Sequence, residues 1–154
     1  MTAVLLPEGS AERRLQAAND RDACRAQLAQ NRDAARAFFR NYSDRQLLWR
    51  PAPDIWSMVD NLLHLNTTGR VYLGAIDRAI ADGRRRGLTG DGFYRHPWFS
   101  RWFVGSLEPP ARRRFRAPRI FVPPPPSGPP RTVLEDFEAL GHEIGERLDA
   151  SRGL

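Results

Sequence analysis

WSMVDNLLHLNTTGRVYLGAIDRAIADG, residues 56–83, carries a start signal, a stop signal and the apolar period of one long helix. Ser57 followed three residues later by Asp60 has the spacing of a capping box, with Asp in place of the usual Glu or Gln. Trp56 stands directly before the cap, where a bulky apolar residue sets the angle at which the chain turns into the helix. Gly83 suits the left-handed residue that closes a helix. The roughly 25 residues between these signals make about 37 Å of helix, enough to span a small domain. The other elements are expected to pack along it.

A 100° wheel divides this helix into three faces. Met58, Leu62, Leu65, Tyr72, Leu73, Ile76 and Ile80 form the expected core face. Asp60, Arg70, Asp77 and Arg78 mark the solvent face. The remaining face, with Asn61, His64, Thr68, Val71, Ala75 and Ala79, is small and mildly polar. Such a face suits either a pocket or a mixed boundary, and the wheel alone leaves both open.

Downstream, residues 84–131 lack a long period. Arg84, Arg85 and Arg86 follow the stop signal. Trp98, Phe99, Trp102 and Phe103 are spaced for a short amphipathic helix. The run Arg112–Arg116 and the prolines from Pro123 to Pro130 follow, the latter favouring polyproline II. So long a connection reads as a structured wrap whose aromatics pack on a helical bundle. The final helix is expected from Thr132, with Glu135 completing a capping box. Its stripe is Val133, Phe137, Leu140, Ile144 and Leu148. Gly141 and Gly145 weaken that helix or admit a close neighbour.

Upstream, residues 1–10 read as a flexible N-terminus. Residues 11–40 contain no Pro or Gly and predict a long helix with a thin stripe through Leu15, Ala18, Cys24, Leu28, Ala35, Phe38 and Phe39. Asn31 lies beside the stripe as a boundary residue. In the connection 41–56, Ser43 and Gln46 predict a capped turn. Leu47, Leu48 and Trp49 supply an apolar plug, and Pro51 and Pro53 force extended backbone.

The whole chain, 154 residues with 41% hydrophobic and 27% charged, suits one globular domain, here residues 11–154. No apolar run is long enough to span a membrane. One cysteine, Cys24, rules out an internal disulfide framework and a zinc site built from cysteines. Cytoplasmic residence is the expectation. All 24 basic residues are arginine, and the net charge is +6. The absence of lysine points to coding bias, which discounts the charge as a sign of nucleic-acid binding. Residues 84–131 hold 11 Arg against 2 acids, and residues 132–154 hold 2 Arg against 6 acids. The basic middle segment can steer an anionic partner or simply pair with the acidic last helix.

Of the three histidines, His64 alone is on the face that suits a pocket. A lone helical histidine is more often structural than a ligand. His142, with Glu138 and Glu146 one turn away on either side, reads as a solvated imidazolium. Its surroundings lack the second histidine of a His-Glu-x-x-His zinc motif. His96 reads as a loop residue. Phosphate-binding loops, dinucleotide fingerprints and nucleophile elbows are absent from the sequence. The basic, aromatic stretch 112–121 has the charge and rings for single-stranded nucleic acid but no platform fold, so nucleic acid is disfavoured.

The string LLWRPAPDIWSMVDNLLHL, residues 47–65, resembles the signature of the DinB-like (DinB/YfiT) superfamily. An Arg-Pro-x-Pro connection leads into Trp-Ser, and a histidine follows eight residues after the tryptophan. Trp56, Ser57 and His64 match in order and spacing. RWFVGSLEPPARRRFRAPRIFVPPPP, residues 101–126, resembles the connection found in one branch of the family.

The resemblance implies an all-α, up-down four-helix bundle with a long irregular connection between helices 2 and 3. It implies a divalent metal, zinc or nickel, held by three histidines. His64 matches the ligand on the second helix. The other two belong to a His-x-x-x-His pair on a fourth helix, which this chain is expected to lack, so it reads as incomplete at its C-terminus. The implied activities are those of metal-dependent hydrolases and of transferases that use a low-molecular-weight thiol. The alternative expectation is a non-catalytic helical module, a homodimer covering an apolar face of the Leu62, Ile76 and Phe137 type.

Overall fold

The computed structural model describes residues 10–89, 98–99, 102 and 118–154. Their α-helices are α1 (Ser10–Asn41), α2 (Asp44–Leu47), α3 (Met58–Arg85) and α4 (Pro130–Ala150), with a 3-10 turn at Arg119–Phe121. No strand occurs among the described residues. Trp98, Phe99 and Trp102 are helical, and the rest of the expected Trp98–Phe103 helix lies outside the described residues, as do residues 1–9 of the expected flexible stretch 1–10, whose last residue, Ser10, begins α1. The expectation of an absent fourth helix is not supported. Four continuous α-helices are present among the described residues, the additional one being the turn that Ser43 and Gln46 cap.

The helix ends follow from side-chain chemistry. Ser43 N–H donates to Gln46 Oε1 at 2.9 Å, which starts α2. At α3 the Asp60 N–H donates to Ser57 Oγ at 3.1 Å and the Ser57 N–H donates to Asp60 Oδ2 at 2.8 Å. Gly83 does not close α3, because the helix continues to Arg85. Gly87, at φ 61°, supplies the left-handed residue instead. The Leu88 N–H then reaches back to the Gly83 carbonyl at 2.9 Å, capping an otherwise orphaned acceptor. The expected capping box at Thr132 is also replaced. Pro130 begins α4, where its missing N–H costs nothing and its fixed φ suits the first turn.

α4 packs between α1 and α3. Against α1 it runs antiparallel: Arg25 meets Asp149, Arg32 meets His142 and Arg36 meets Glu138. Against α3 it runs parallel: Asn66 meets Val133, Arg70 meets Glu143, Asp77 meets Arg147 and Arg84 meets Ala150. Simple up-down order therefore does not hold between α3 and α4. Two parallel helices joined in sequence require the chain to return the length of the first, and residues 86–129 make that return. Its last part lies along the bundle. Pro123 and Pro126 are half-buried and Pro130 is buried, a spacing near the three residues per turn of polyproline II.

The core sits where the C-terminal end of α1 meets α2 and the N-terminal ends of α3 and α4. Leu47, Val59, Leu62 and Val133 are buried there, with Phe39, Met58, Leu63, Leu134 and Phe137 packed around them. Each buried aliphatic side chain of this size contributes about 1.5–3 kcal/mol. Leu73 and Leu140 extend the apolar seam along α3 and α4. The plug expected from Leu47, Leu48 and Trp49 reduces to Leu47, since Trp49 is 64% exposed. Cys24 and Phe38 on α1 are exposed as well, whereas Asn31 reaches water as expected.

The buried face of α3 is Val59, Leu62, Asn66 and Leu73. Of the expected core face, Leu62 and Leu73 are buried, but Leu65 and Tyr72 are 50% and 54% exposed. Gly69 lies within the true seam. A Cβ there would stand 2.5 Å from Leu140 Cδ2, so glycine lets α4 approach.

Candidate functional site

The Arg-Pro-x-Pro…Trp-Ser-x-x-Asp stretch folds into a clip at the start of α3. Arg50 Nε and Nη2 donate to Asp60 Oδ2 and Oδ1 at 2.7 and 2.6 Å. Asp60 Oδ2 also accepts from the Ser57 N–H and, at 2.7 Å, from its hydroxyl. Asp60 was expected on the solvent face, yet it is 2% exposed. Burial by itself would push its carboxyl up. The hydrogen bonds from Arg50 and Ser57 and the charge of Arg50 outweigh burial and hold it below the usual carboxylate range. The same bonds raise the Arg50 guanidinium. Residues 51–55 turn, with the Ile55 N–H donating to the Ala52 carbonyl at 3.0 Å, and Arg50 lies back over the helix start.

One turn beyond Asp60, the clip presents His64. Its half-buried ring lies against Trp56, with centroids 5.0 Å apart at 45°. Its Nδ1 is 2.6 Å from the carbonyl oxygen of Phe121 in the 3-10 turn. A carbonyl only accepts, so Nδ1 carries the proton and donates. Nε2 keeps its lone pair while the ring is neutral. Phe121 is held in turn by stacking on Tyr72, at 6.1 Å and 14°. Trp56, the Phe121 carbonyl and the helix thus orient one imidazole and choose its tautomer, as supporting groups do for histidine ligands.

Among the described residues, most of the expected pocket face is open, with Thr68 half-buried. Asn61, Val71, Ala75 and Ala79 are exposed. The Asn61 side chain donates back to the Ser57 carbonyl at 2.8 Å. A cavity of about 330 Å³ lies elsewhere, between α1 and α4, beside Arg32 and His142.

His142 is exposed, as expected, and its ring is approached by an arginine of α1. Arg32 Nη1 lies 2.7 Å from its Nε2. A guanidinium only donates, so that nitrogen is placed as the acceptor of the contact. Glu138 is taken by Arg36 at 2.5 Å, which holds its carboxyl below the usual range. His96 lies outside the described residues.

No group of three His, Cys, Asp or Glu side chains able to hold a metal ion occurs among the described residues. His64 offers one suitably oriented nitrogen. The described residues by themselves therefore do not fit a divalent ion.

The model of the DinB superfamily matches residues 27–153. The chain belongs to the DinB superfamily. The match covers the clip, His64, the connection and α4. No curated protein and no solved structure matches the chain. Among the described residues of this DinB-superfamily chain, no helix is long and apolar enough to cross a membrane.

Sequence reasoning missed Arg50 as the partner of Asp60, Asn66 as a clamp and the rung formed by Arg32 and His142. The Asn66 amide donates to the Val133 carbonyl at 3.0 Å, tying α3 to the first turn of α4. The signal for Arg50 was the Arg-Pro-x-Pro spacing itself. The other two contacts join residues 67 and 110 positions apart, and nothing local marks either pair.

Proposed function

We propose that His64 is the functional centre of this DinB-superfamily domain and that the full chain is related to metal-dependent hydrolases and to transferases using a low-molecular-weight thiol. The observation that carries this reading is the 2.6 Å bond from His64 Nδ1–H to the Phe121 carbonyl. It leaves Nε2 as the free donor, which is what a zinc or nickel ligand requires. The remaining donors would come from outside the described residues, where His96 lies, or from a second copy of the chain. A single cysteine, exposed Cys24, accords with cytoplasmic residence.

Calorimetric titration of the metal-free full chain with zinc or nickel tests the reading. Stoichiometric binding lost in His64→Ala and retained in His142→Ala supports it. Equal, negligible binding by the unaltered chain and His64→Ala would sink it.

A second reading, a non-catalytic homodimer, is favoured by one face of α3. Leu65, Tyr72 and Ile76 are exposed there, seven and four residues apart, and so share that face. Leu62 belongs to the core and has no part in it. Sedimentation of the unaltered chain and of a Leu65→Glu, Tyr72→Glu double variant separates the cases: a monomer in both removes the dimer.

A further inference from the structure

The seam between α1 and α4 is built from rungs in which an arginine of α1 meets a side chain of α4. Arg25 pairs with Asp149 and Arg36 with Glu138. Between them, Arg32 meets a histidine ring instead of a carboxylate. Its Nε is buried and has no hydrogen-bond partner among the described residues. Glu138 acts on Arg32 through its charge, but its hydrogen bond goes to Arg36, so the buried Nε–H of Arg32 is left without an acceptor. The cavity of about 330 Å³ opens beside this arginine.

α4 contributes no side chain to the cavity floor at Gly141 and Gly145. The two positions differ. A Cβ at Gly141 would be 2.9 Å from Arg32 Cδ, so that glycine lets Arg32 lie across the helix. A Cβ at Gly145 would meet nothing within 4 Å, so that glycine leaves open space. His142, which lines the cavity, takes the Arg32 contact on Nε2.

We infer that this groove is a second ligand site, separate from His64, and that it takes a small monocarboxylate. The carboxylate supplies the acceptors that Arg32 lacks. A slight turn of the guanidinium presents Nε and Nη2 together, the fork geometry that suits a carboxylate. The charge of the wall selects a single negative charge. Glu146 lies one turn, about 6 Å, along α4 from His142, and Asp149 is a further turn away and already neutralised by Arg25. These carboxylates repel a second negative charge on the ligand, which disfavours phosphate and other polyanions.

Acetate and lactate are the probes, titrated at constant ionic strength against chloride and phosphate, with the Arg32 Nε–H resonance followed by nitrogen-15 NMR. The expected result is a saturable shift with acetate or lactate, weakened at least tenfold in Arg32→Gln and in Gly145→Leu. Gly145→Leu fills open space and raises helix propensity, so loss of binding in that variant does not arise from unfolding. Circular dichroism confirms the helicity of Arg32→Gln. A non-saturable shift equal to that of chloride, or unchanged binding in Gly145→Leu, overturns the site. Phosphate binding as tightly as acetate overturns the monocarboxylate assignment.

Discussion

Arg50 and Asp60 form a two-pronged ion pair across the start of α3, with both guanidinium-to-carboxylate distances between 2.6 and 2.7 Å. The carboxylate is 3% exposed and the guanidinium 45% exposed. One carboxylate thereby caps the helix, anchors the loop and fixes the turn that leads to His64. Asp60→Asn keeps the shape but loses the charge and one acceptor. It is expected to lower stability by about 2–4 kcal/mol, because the Ser57 donors and Arg50 remain facing a weakened partner. Arg50→Lys keeps the charge but not the fork, and because this side chain is itself half-exposed the change should cost about 1 kcal/mol. Urea unfolding measures both. Equal, negligible effects would show that the clip does not stabilise the domain.

Acid should act through the same carboxylate. Asp60 in the folded chain is held below its ordinary value of 3.8. A group depressed on folding contributes stability that is fully present above its unfolded value and is lost as pH falls through its folded value. Glu138, depressed by Arg36 from 4.5, acts in the same direction. Stability is therefore expected to be flat with pH from neutrality to about 5 and to fall below about 4. Asp60→Asn should fall less steeply in that window. Urea midpoints at pH 3, 4, 5 and 7 check the slope, and identical slopes would assign the acid response to other groups.

Two glycines in long helices should respond oppositely to alanine. At Gly69 the new methyl meets buried Leu140, whose Cγ and both Cδ atoms would lie within 3.3 Å. The seam must open, and overpacking of this kind costs about 1–3 kcal/mol, more than the helix-propensity gain of about 1 kcal/mol. At Gly145 nothing is met, so the propensity gain stands and alanine should stabilise by about 0.5–1 kcal/mol. Thermal midpoints of Gly69→Ala and Gly145→Ala, expected to move down and up respectively, test the parallel packing of α3 on α4.

The tautomer of His64 is also measurable. Nitrogen-15 spectra of the imidazole at neutral pH should show the proton on Nδ1, held by the Phe121 carbonyl. Trp56→Ala removes the ring that backs the imidazole and should let both tautomers appear. A spectrum dominated by Nε2–H in the unaltered chain would show that the Phe121 bond does not orient the ring.

Local chemistry was legible in the residues. The Ser57–Asp60 cap, the Ser43–Gln46 cap, the apolar stripe of α4 and the family signature each lie within a short stretch, where backbone spacing dictates which groups meet. His64 could be singled out, but the bond that orients it could not, because Phe121 is 57 residues away. The buried face of α3 was misplaced by about one residue. A wheel with apolar residues on two adjoining faces does not say which one a neighbour will cover.

By itself, then, the sequence determined an all-α chain of the DinB superfamily with a capped central helix and a long connection before the last helix. The tertiary structure decided which flank of α3 is buried, because α4 lies parallel to it along the Val59, Leu62, Asn66 and Leu73 seam. It also decided that Asp60 is a buried anchor, because Arg50 reaches it from outside the helix. His142 faces Arg32 for the same physical reason: α1, packed antiparallel on α4, brings a donor to its Nε2, and position along the chain carries no record of that approach.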